Sequence, residues 1–292
     1  MSVFVRQNST NCSFNINESW VILSPIEQKI KQKIEKIGTP LKEWDIQINY
    51  GIKTGFNDAF IISGEKRKEL IKQDPKSDEI IRPILRGRDI KRYGYDFADL
   101  WLINTHNGIK EKGIKPINID DYPAIKKHLD KYYPELEKRQ DKGDTPYNLR
   151  NCAYMDDFYK QKIVWKAVGK NLAFSLLEEG YFLSAPACFF TSDLVNLKYL
   201  LTVLCSSYAK YFIYNNSDTT GAGDIMLNIQ SLEKLPIPKP NNETEEKIIF
   251  LSSNIHRIKE AENEIDRLIF QVLDLSEEEI KFISSLVSSN NE

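Results

Sequence analysis

The chain has 292 residues, 41% of them hydrophobic and 28% charged, with a formal net charge of −2, which suits a soluble globular protein of one large domain or two smaller ones. Its four irregularly spaced cysteines and three histidines signal neither a disulfide framework nor a zinc site, so a reducing cytoplasm is the expected home. The opening MSVFVRQNST lacks the continuous apolar core of a secretory signal.

Residues 1 to 23 carry no clear period and are expected to form an irregular or strand-forming lead-in. SPIEQKIKQKIEKIG then announces a helix: Ser24 can cap it, Pro25 suits the first turn, and Glu27 completes a capping box. Ile26, Ile30, Ile34 and Ile37 make one apolar stripe, and Gly38 suits the stop. WDIQINYG alternates as a strand, a tight GIKTG turn follows, and AFII reads as a second strand. Residues 65 to 73 read as a helix, DLWLIN as a strand, and YPAIKKHLDKYYPELEKRQ as one charged surface helix.

From residue 160 the pattern is strand-rich. QKIVWKAV, AFSLL, YFLSA and ACFFTS, with an EEG turn among them, predict an antiparallel meander. LVNLKYLLTVLCSSYAKYFIY is the most apolar long window, but Asn196, Lys198 and Lys210 interrupt it, which predicts a buried helix and no membrane span. SDTTGAGD is a small-residue loop, and LPIPKP closes the body as an extended segment.

Beyond it, Ile248, Leu251, Ile255, Ile258, Glu262, Ile265, Ile269 and Val272 follow heptad spacing, predicting a long coiled-coil-like helix; Ser276 and Glu279 then cap a further helix. The chain thus divides into a lead-in and amphipathic helix over 1–39, a body over 40–240 and a helical segment over 241–292. Residues 241–292 hold 12 acidic and 5 basic residues of the 42 and 40 in the chain, so the tail carries −7 and the body +5. A mildly basic body permits a polyanionic partner. The expected fold class is α/β of the α+β type, with a mixed, largely antiparallel sheet and packed helices.

Catalytic machinery is missing from the motifs. There is no Gly-rich dinucleotide turn, no phosphate-cradling loop ending in Lys-Ser/Thr, and no G-x-S-x-G. GAGD at 221–224 is too short for a cofactor loop and follows a helix. The pairs Asp120–Asp121, Asp156–Asp157 and Glu178–Glu179 fall in apparent turns and read as solvated acids. The chain therefore reads as non-catalytic on its own, with no cofactor or metal of its own.

Binding chemistry is better represented. IRPILRGRDIKRYGY sets Arg82, Arg86, Arg88, Lys91 and Arg92 within eleven positions, near Tyr93, Tyr95 and Trp101. Lys53, Thr54 and Asn57 crowd the turn GIKTGFN, and QKIVWKAVGKN adds Lys162, Lys166, Lys170 and Asn171 beside Trp165. Lys suits phosphates, while Arg, Asn and Gln suit base edges. Lys91 and Arg92 are expected on phosphate and Arg86 on a guanine edge. Arg88 is a candidate DNA contact and equally a candidate for a structural pairing with Asp89 or a backbone carbonyl.

NYGIKTGFNDAFII, RPILRGRDIKRYGY, LWLIN, DYPAIKKHL, KIVW, LKYLLTVLCSS and LEKLPIP stand in an order that resembles the TaqI-like C-terminal specificity domain of type II restriction-modification enzymes. The resemblance runs from about residue 40 to 240. It implies a target-recognition module that docks on double-stranded DNA and holds it for an adenine-specific methyltransferase domain or subunit, which would bind S-adenosylmethionine. The methyltransferase motifs themselves, Phe-x-Gly-x-Gly and Asn-Pro-Pro-Tyr, do not occur in this sequence. Two other readings remain at this point: a methyltransferase with unrecognised motifs, and a coiled-coil interaction module.

Overall fold

The structure, a computed structural model, describes residues 23–289. The lead-in expected over residues 1–23 lies, Leu23 apart, outside the described residues. The chain forms two compact units, one assembled from residues up to Trp44, Ser206–Asn215 and residues from Glu233 onward, the other from Asp45–Cys205 and Asn216–Leu232. No helix among the described residues is long and apolar enough to cross a membrane.

The first unit is helical. Pro25–Ile37 starts as expected, with the Ser24–Glu27 capping box formed in both directions and Ile30 and Ile34 buried. A short antiparallel ladder joins Thr39 to Ile237 and Pro40 to Pro236. The heptad stretch does not form one helix. Asn242–Ser253 and Ala261–Val272 are separate helices packed on each other, and Glu260 between them takes a left-handed φ of 66°. The apolar spacing continues through the break because the turn retains partial burial at Ile255 and Ile258. Glu279, buried, accepts from Lys33 Nζ at 2.9 Å and from the Ser276 amide at 2.7 Å, so the last helix, Glu277–Ser289, is tied to the first.

The second unit carries the sheets. Its strands are β1 (Gln47–Tyr50), β2 (Ile61–Ser63), β3 (Ile81–Leu85), β4 (Ile90–Lys91), β5 (Gly94–Tyr95), β6 (Leu100–Ile103), β7 (Lys162–Trp165), β8 (Val168–Gly169), β9 (Phe174–Leu177), β10 (Phe182–Leu183), β11 (Cys188–Thr191), β12 (Asp218–Thr219) and β13 (Ile225–Met226). One four-stranded sheet has the order β9-β7-β11-β1 and is antiparallel throughout. A second, β10-β3-β6-β2, is antiparallel except for the parallel pair β10–β3. The mixed, largely antiparallel α/β class is thus the observed one. β7 and β11 are buried on both faces, which is why KIVW and CFFT read as continuous rather than alternating runs.

The expected meander is only partly present. β7 and β9 pair as a hairpin, but after the left-handed Gly180 the chain leaves for the second sheet as β10 and returns as β11, between β7 and β1. The turn is held from within: Lys162, expected among the binding cations, is instead buried and donates to the carbonyls of Glu178 and Tyr181, and burial lowers its pKa to about 8. Three helical expectations also differ in detail. AFII opens as a one-turn helix, Asn57–Phe60, before β2 begins. The helix expected over 122–140 is broken into Pro123–Leu129 and Tyr133–Lys138, where Pro134 restarts the turn, and it buries Ile125, Leu129 and Leu136. The apolar window around 194–214 is two helices, Leu197–Leu204 and Ser207–Asn216; the Ser206 hydroxyl accepts from the Ala209 amide and so caps the second.

Candidate nucleic-acid interface

The pairing registers bring the sequence-predicted segments to one end of the sheets. Cys188 opens β11 opposite both Tyr50, the last residue of β1, and Trp165, the last of β7. The glycine turn 51–55 and the segment 166–171 therefore leave the sheet at the same end. β10 runs parallel to β3, and the Ser184 amide donates to the Leu85 carbonyl at 2.8 Å, so the Arg-Gly-Arg-Asp turn leaves there too. A Cβ on Gly87 would stand 3.2 Å from Lys166 Cβ. The hairpin β4–β5 joins the group through the Tyr93 amide, which donates to the carbonyl of Phe174 at the start of β9. β13 adds to β8 and carries the 220–224 tip, so GAGD is the end of a hairpin.

Within this end the cations divide by role. Arg82 spends its guanidinium on the carbonyls of Asp78, Glu79 and Ile81. Arg86 donates Nε and Nη2 to the two carboxylate oxygens of Asp89 at 2.9 and 2.7 Å, and its amide donates to the same carboxylate. The Asp89 pairing expected of Arg88 is thus made by Arg86 through its Nε–Nη2 edge, and the Nη1 group of Arg86 makes no hydrogen bond among the described residues. The reason is local: the one-turn Gly87–Asp89 helix returns the aspartate to the residue three before it. Arg88 is exposed and, among the described residues, makes no hydrogen bond or close ion pair, though its charge acts on Asp89. Lys91 is exposed beside Asp96 at 3.5 Å, and Arg92 reaches the Cys205 carbonyl while lying 4.8 Å from the Tyr93 ring centre. Lys53, Asn57, Lys170 and Asn171 are exposed and Lys166 is half-buried. Thr54 is not a free contact. It is buried, and its hydroxyl donates to Asn57 Oδ1 and accepts from the Phe56 amide.

Burial opposes the charge on Asp89, but the hydrogen bonds and charge of Arg86 outweigh it and hold the carboxyl below its usual pKa. A depressed folded value means that the pair stabilises the turn above the unfolded aspartate pKa of about 3.9 and that this contribution is lost as pH falls through the folded value. Asp89→Ala should cost about 2–3 kcal/mol at neutral pH, because three hydrogen bonds go and a part-buried guanidinium loses its partner. Denaturant melts of the two proteins should converge in acid; a gap that persists there would show that the charge contributes nothing.

A cleft of about 950 Å³ opens beside these segments. One wall is the glycine turn with Tyr50, Lys53 and Asn57; another is the Ser184–Pro186 bend, which contains the cis peptide Ala185–Pro186. The remaining wall, from Asp141 and residues 150–154, carries Arg150 and Asn151, which the motifs did not single out. Their support is Arg139. It is buried in a segment that reads as a solvated charge run, and it donates to the carbonyls of Thr54, Asp141, Pro146 and Asn148. Burial lowers its pKa to about 10, which leaves it charged at neutral pH.

Comparison with known proteins places this geometry. The model of the TaqI-like C-terminal specificity domain matches residues 82–237, more than half of the chain. The chain belongs to that family. Over 274 residues it is 22% identical to the type II methyltransferase M.BstVI of Geobacillus stearothermophilus, covering 91% of this chain and 46% of that protein. The type IIL restriction-modification enzyme MmeI, solved in complex with DNA, superposes with a TM-score of 0.62 at 12% identity, over 87% of this chain and 37% of that one. The type IIG restriction endonuclease BpuSI gives 0.55 at 16% identity, over 90% and 32%. The two structural likenesses establish a shared fold, and the chain spans less than half the length of each of these relatives.

Proposed function

We propose that this chain is the sequence-reading module of a type II restriction-modification system, docking on double-stranded DNA and presenting it to an adenine-specific methyltransferase or endonuclease domain that this sequence does not contain. The observation that carries the reading is the convergence of the glycine turn, the Arg-Gly-Arg-Asp turn, the β4–β5 hairpin and the 166–171 segment at one end of the sheets, with Lys53, Arg88, Lys91 and Lys170 exposed there. Family membership and the DNA-bound state of the MmeI structure support it. On this reading the chain has no catalytic group of its own, and S-adenosylmethionine belongs to the methyltransferase.

Exposed Lys and Arg that neutralise phosphates set the salt dependence of binding, whatever the sequence bound. Changing Arg88, Lys166 and Lys170 together to alanine should weaken binding to all duplexes about equally. The slope of log affinity against log salt should fall by roughly 3 units. Fluorescence anisotropy across a salt series reads both. A folded triple variant with unchanged affinity and slope would remove this end of the sheets from any DNA interface.

A further inference from the structure

The three-stranded sheet β12-β13-β8 has two unlike faces. Residues opposite each other in a ladder carry their side chains on the same side. Ile225 therefore shares one face with Thr219 and Gly169, and Met226 shares the other with Asp218 and Val168. The first face is turned inward: Ile225 is 4% exposed, and a Cβ on Gly169 would stand 2.6 Å from Lys166 Nζ. The second is open. Val168 is 43% exposed and Met226 37%, although the outward face of an antiparallel strand ordinarily carries polar side chains. The sheet is anchored behind this pair, because Trp165 Nε1 donates to the Leu227 carbonyl at 3.1 Å.

Charge indicates what covers the open face. Lys166 and Lys170 border β8, and Arg88 follows the Gly87 that packs on Lys166, so the ribbon stands among cations that suit a polyanion. The row of side chains itself differs. Asp218 beside Met226 repels a phosphate, which leaves base edges as the counterpart of this row. Asp218, Met226 and Val168 lie on three adjacent strands, so the row spans about 10 Å, and the major groove is about 12 Å wide and admits a β-ribbon. There an A·T pair presents the N6 amino group of adenine, which a carboxylate accepts, and the C5 methyl group of thymine, which an apolar side chain contacts; a G·C pair presents no methyl. We infer that this face reads a thymine through its C5 methyl group, with Val168 and Met226 as specificity-determining residues. This deepens the DNA-reading function proposed above and rests on it.

The test uses the full chain and a duplex pool with a randomised centre, from which bound sequences are selected. At one thymine of the selected site, replacement by deoxyuridine, which lacks only the methyl group, should weaken binding roughly 4-fold, the worth of one buried methyl-sized group. Val168→Thr and Met226→Gln keep side-chain size and make the surface polar, and both positions are exposed, so the double variant keeps its core. It should bind the thymine duplex about as weakly as the native chain binds the deoxyuridine duplex, and lose nothing further on the replacement. If the native chain enriches no sequence, the DNA-reading function itself falls. If it enriches a sequence but tolerates deoxyuridine at every thymine, the thymine assignment falls while DNA reading stands. The same holds if the folded double variant keeps the native ratio between the two duplexes, because a pair that only stiffens the ribbon leaves that ratio unmoved. A folded double variant that elutes as a smaller species than the native chain would make the pair a contact between copies of this chain and overturn the assignment as well.

Discussion

Gly51→Ala should shift the denaturant midpoint downward by the equivalent of about 3 kcal/mol, the upper end of what overpacking a well-filled site costs. Gly51 follows β1, and a Cβ there would meet the Leu183 carbonyl oxygen at 2.6 Å, the Ser184 carbonyl carbon at 2.6 Å and the Ala185 nitrogen at 2.7 Å. All three are backbone atoms, so no side chain can swing aside. The 183–185 backbone is itself fixed, because the Ile52 amide donates to Leu183, the Ser184 amide to Leu85, and the Ala185 amide to the Ile52 carbonyl. The methyl group must therefore push the glycine turn off the Ser184–Pro186 bend, opening the cleft between them. Gly94→Ala, where nothing lies within 4 Å of the added Cβ, is the control and should leave the midpoint nearly unchanged. Equal midpoints for the two variants would mean that the close approach at Gly51 does not constrain the turn.

The other large effect is expected at Arg139. One guanidinium gathers carbonyls from the glycine turn and from the 141–148 segment, so it joins two walls of the cleft. Its flat face lies 4.5 Å from the Phe60 ring centre. Arg139→Met keeps much of the volume but leaves four carbonyls short of a donor, and Arg139→Lys supplies a compact ammonium that cannot span them. Losing a buried charge that is hydrogen-bonded to four carbonyls costs about 3–5 kcal/mol. Hydrogen exchange should show faster opening at the amides of 54–57 and 143–149 in both variants, and DNA affinity should fall with it. Native-like protection in a folded Arg139→Lys protein would show that the walls stand without the fork.

Local signals were the legible ones. The Ser24–Glu27 box, the Ser276–Glu279 box, β1, β6 and the hairpin β7–β9 all appear where spacing and caps placed them, because each depends on contacts within a few residues. The family likeness and the segments GIKTGFN, RGRDI and KAVGKN were legible too, and pairing brings all three to one end of the sheets. What was not legible depends on distant partners. Nothing near Arg139 marks it off from the charged run around it, since its bond to Thr54 spans 85 positions. Arg86 and Arg88 are both candidates for Asp89 by charge, and only the handedness of the intervening turn selects between them. The insertion of β11 between β7 and β1 likewise leaves no mark in the apolar spacing.

The tie between Lys33 and Glu279 has a consequence for how the protein is made, because the two are 246 residues apart. At ribosomal rates of about 5–20 residues per second, Lys33 waits roughly 12–50 s for its partner to be synthesised. Over that interval the helix Pro25–Ile37 has emerged, but the last of the helices that complete its unit has not. Every residue of the second unit precedes Glu233, so all of its strands have been synthesised while the ribosome is still translating the 60 residues that follow. Nascent chains arrested once Leu232 has cleared the ribosomal tunnel, but before Glu277–Ser289 has emerged, should therefore protect the strands from protease, yet leave the Ile30–Ile34 stripe open to chaperones at the ribosomal exit.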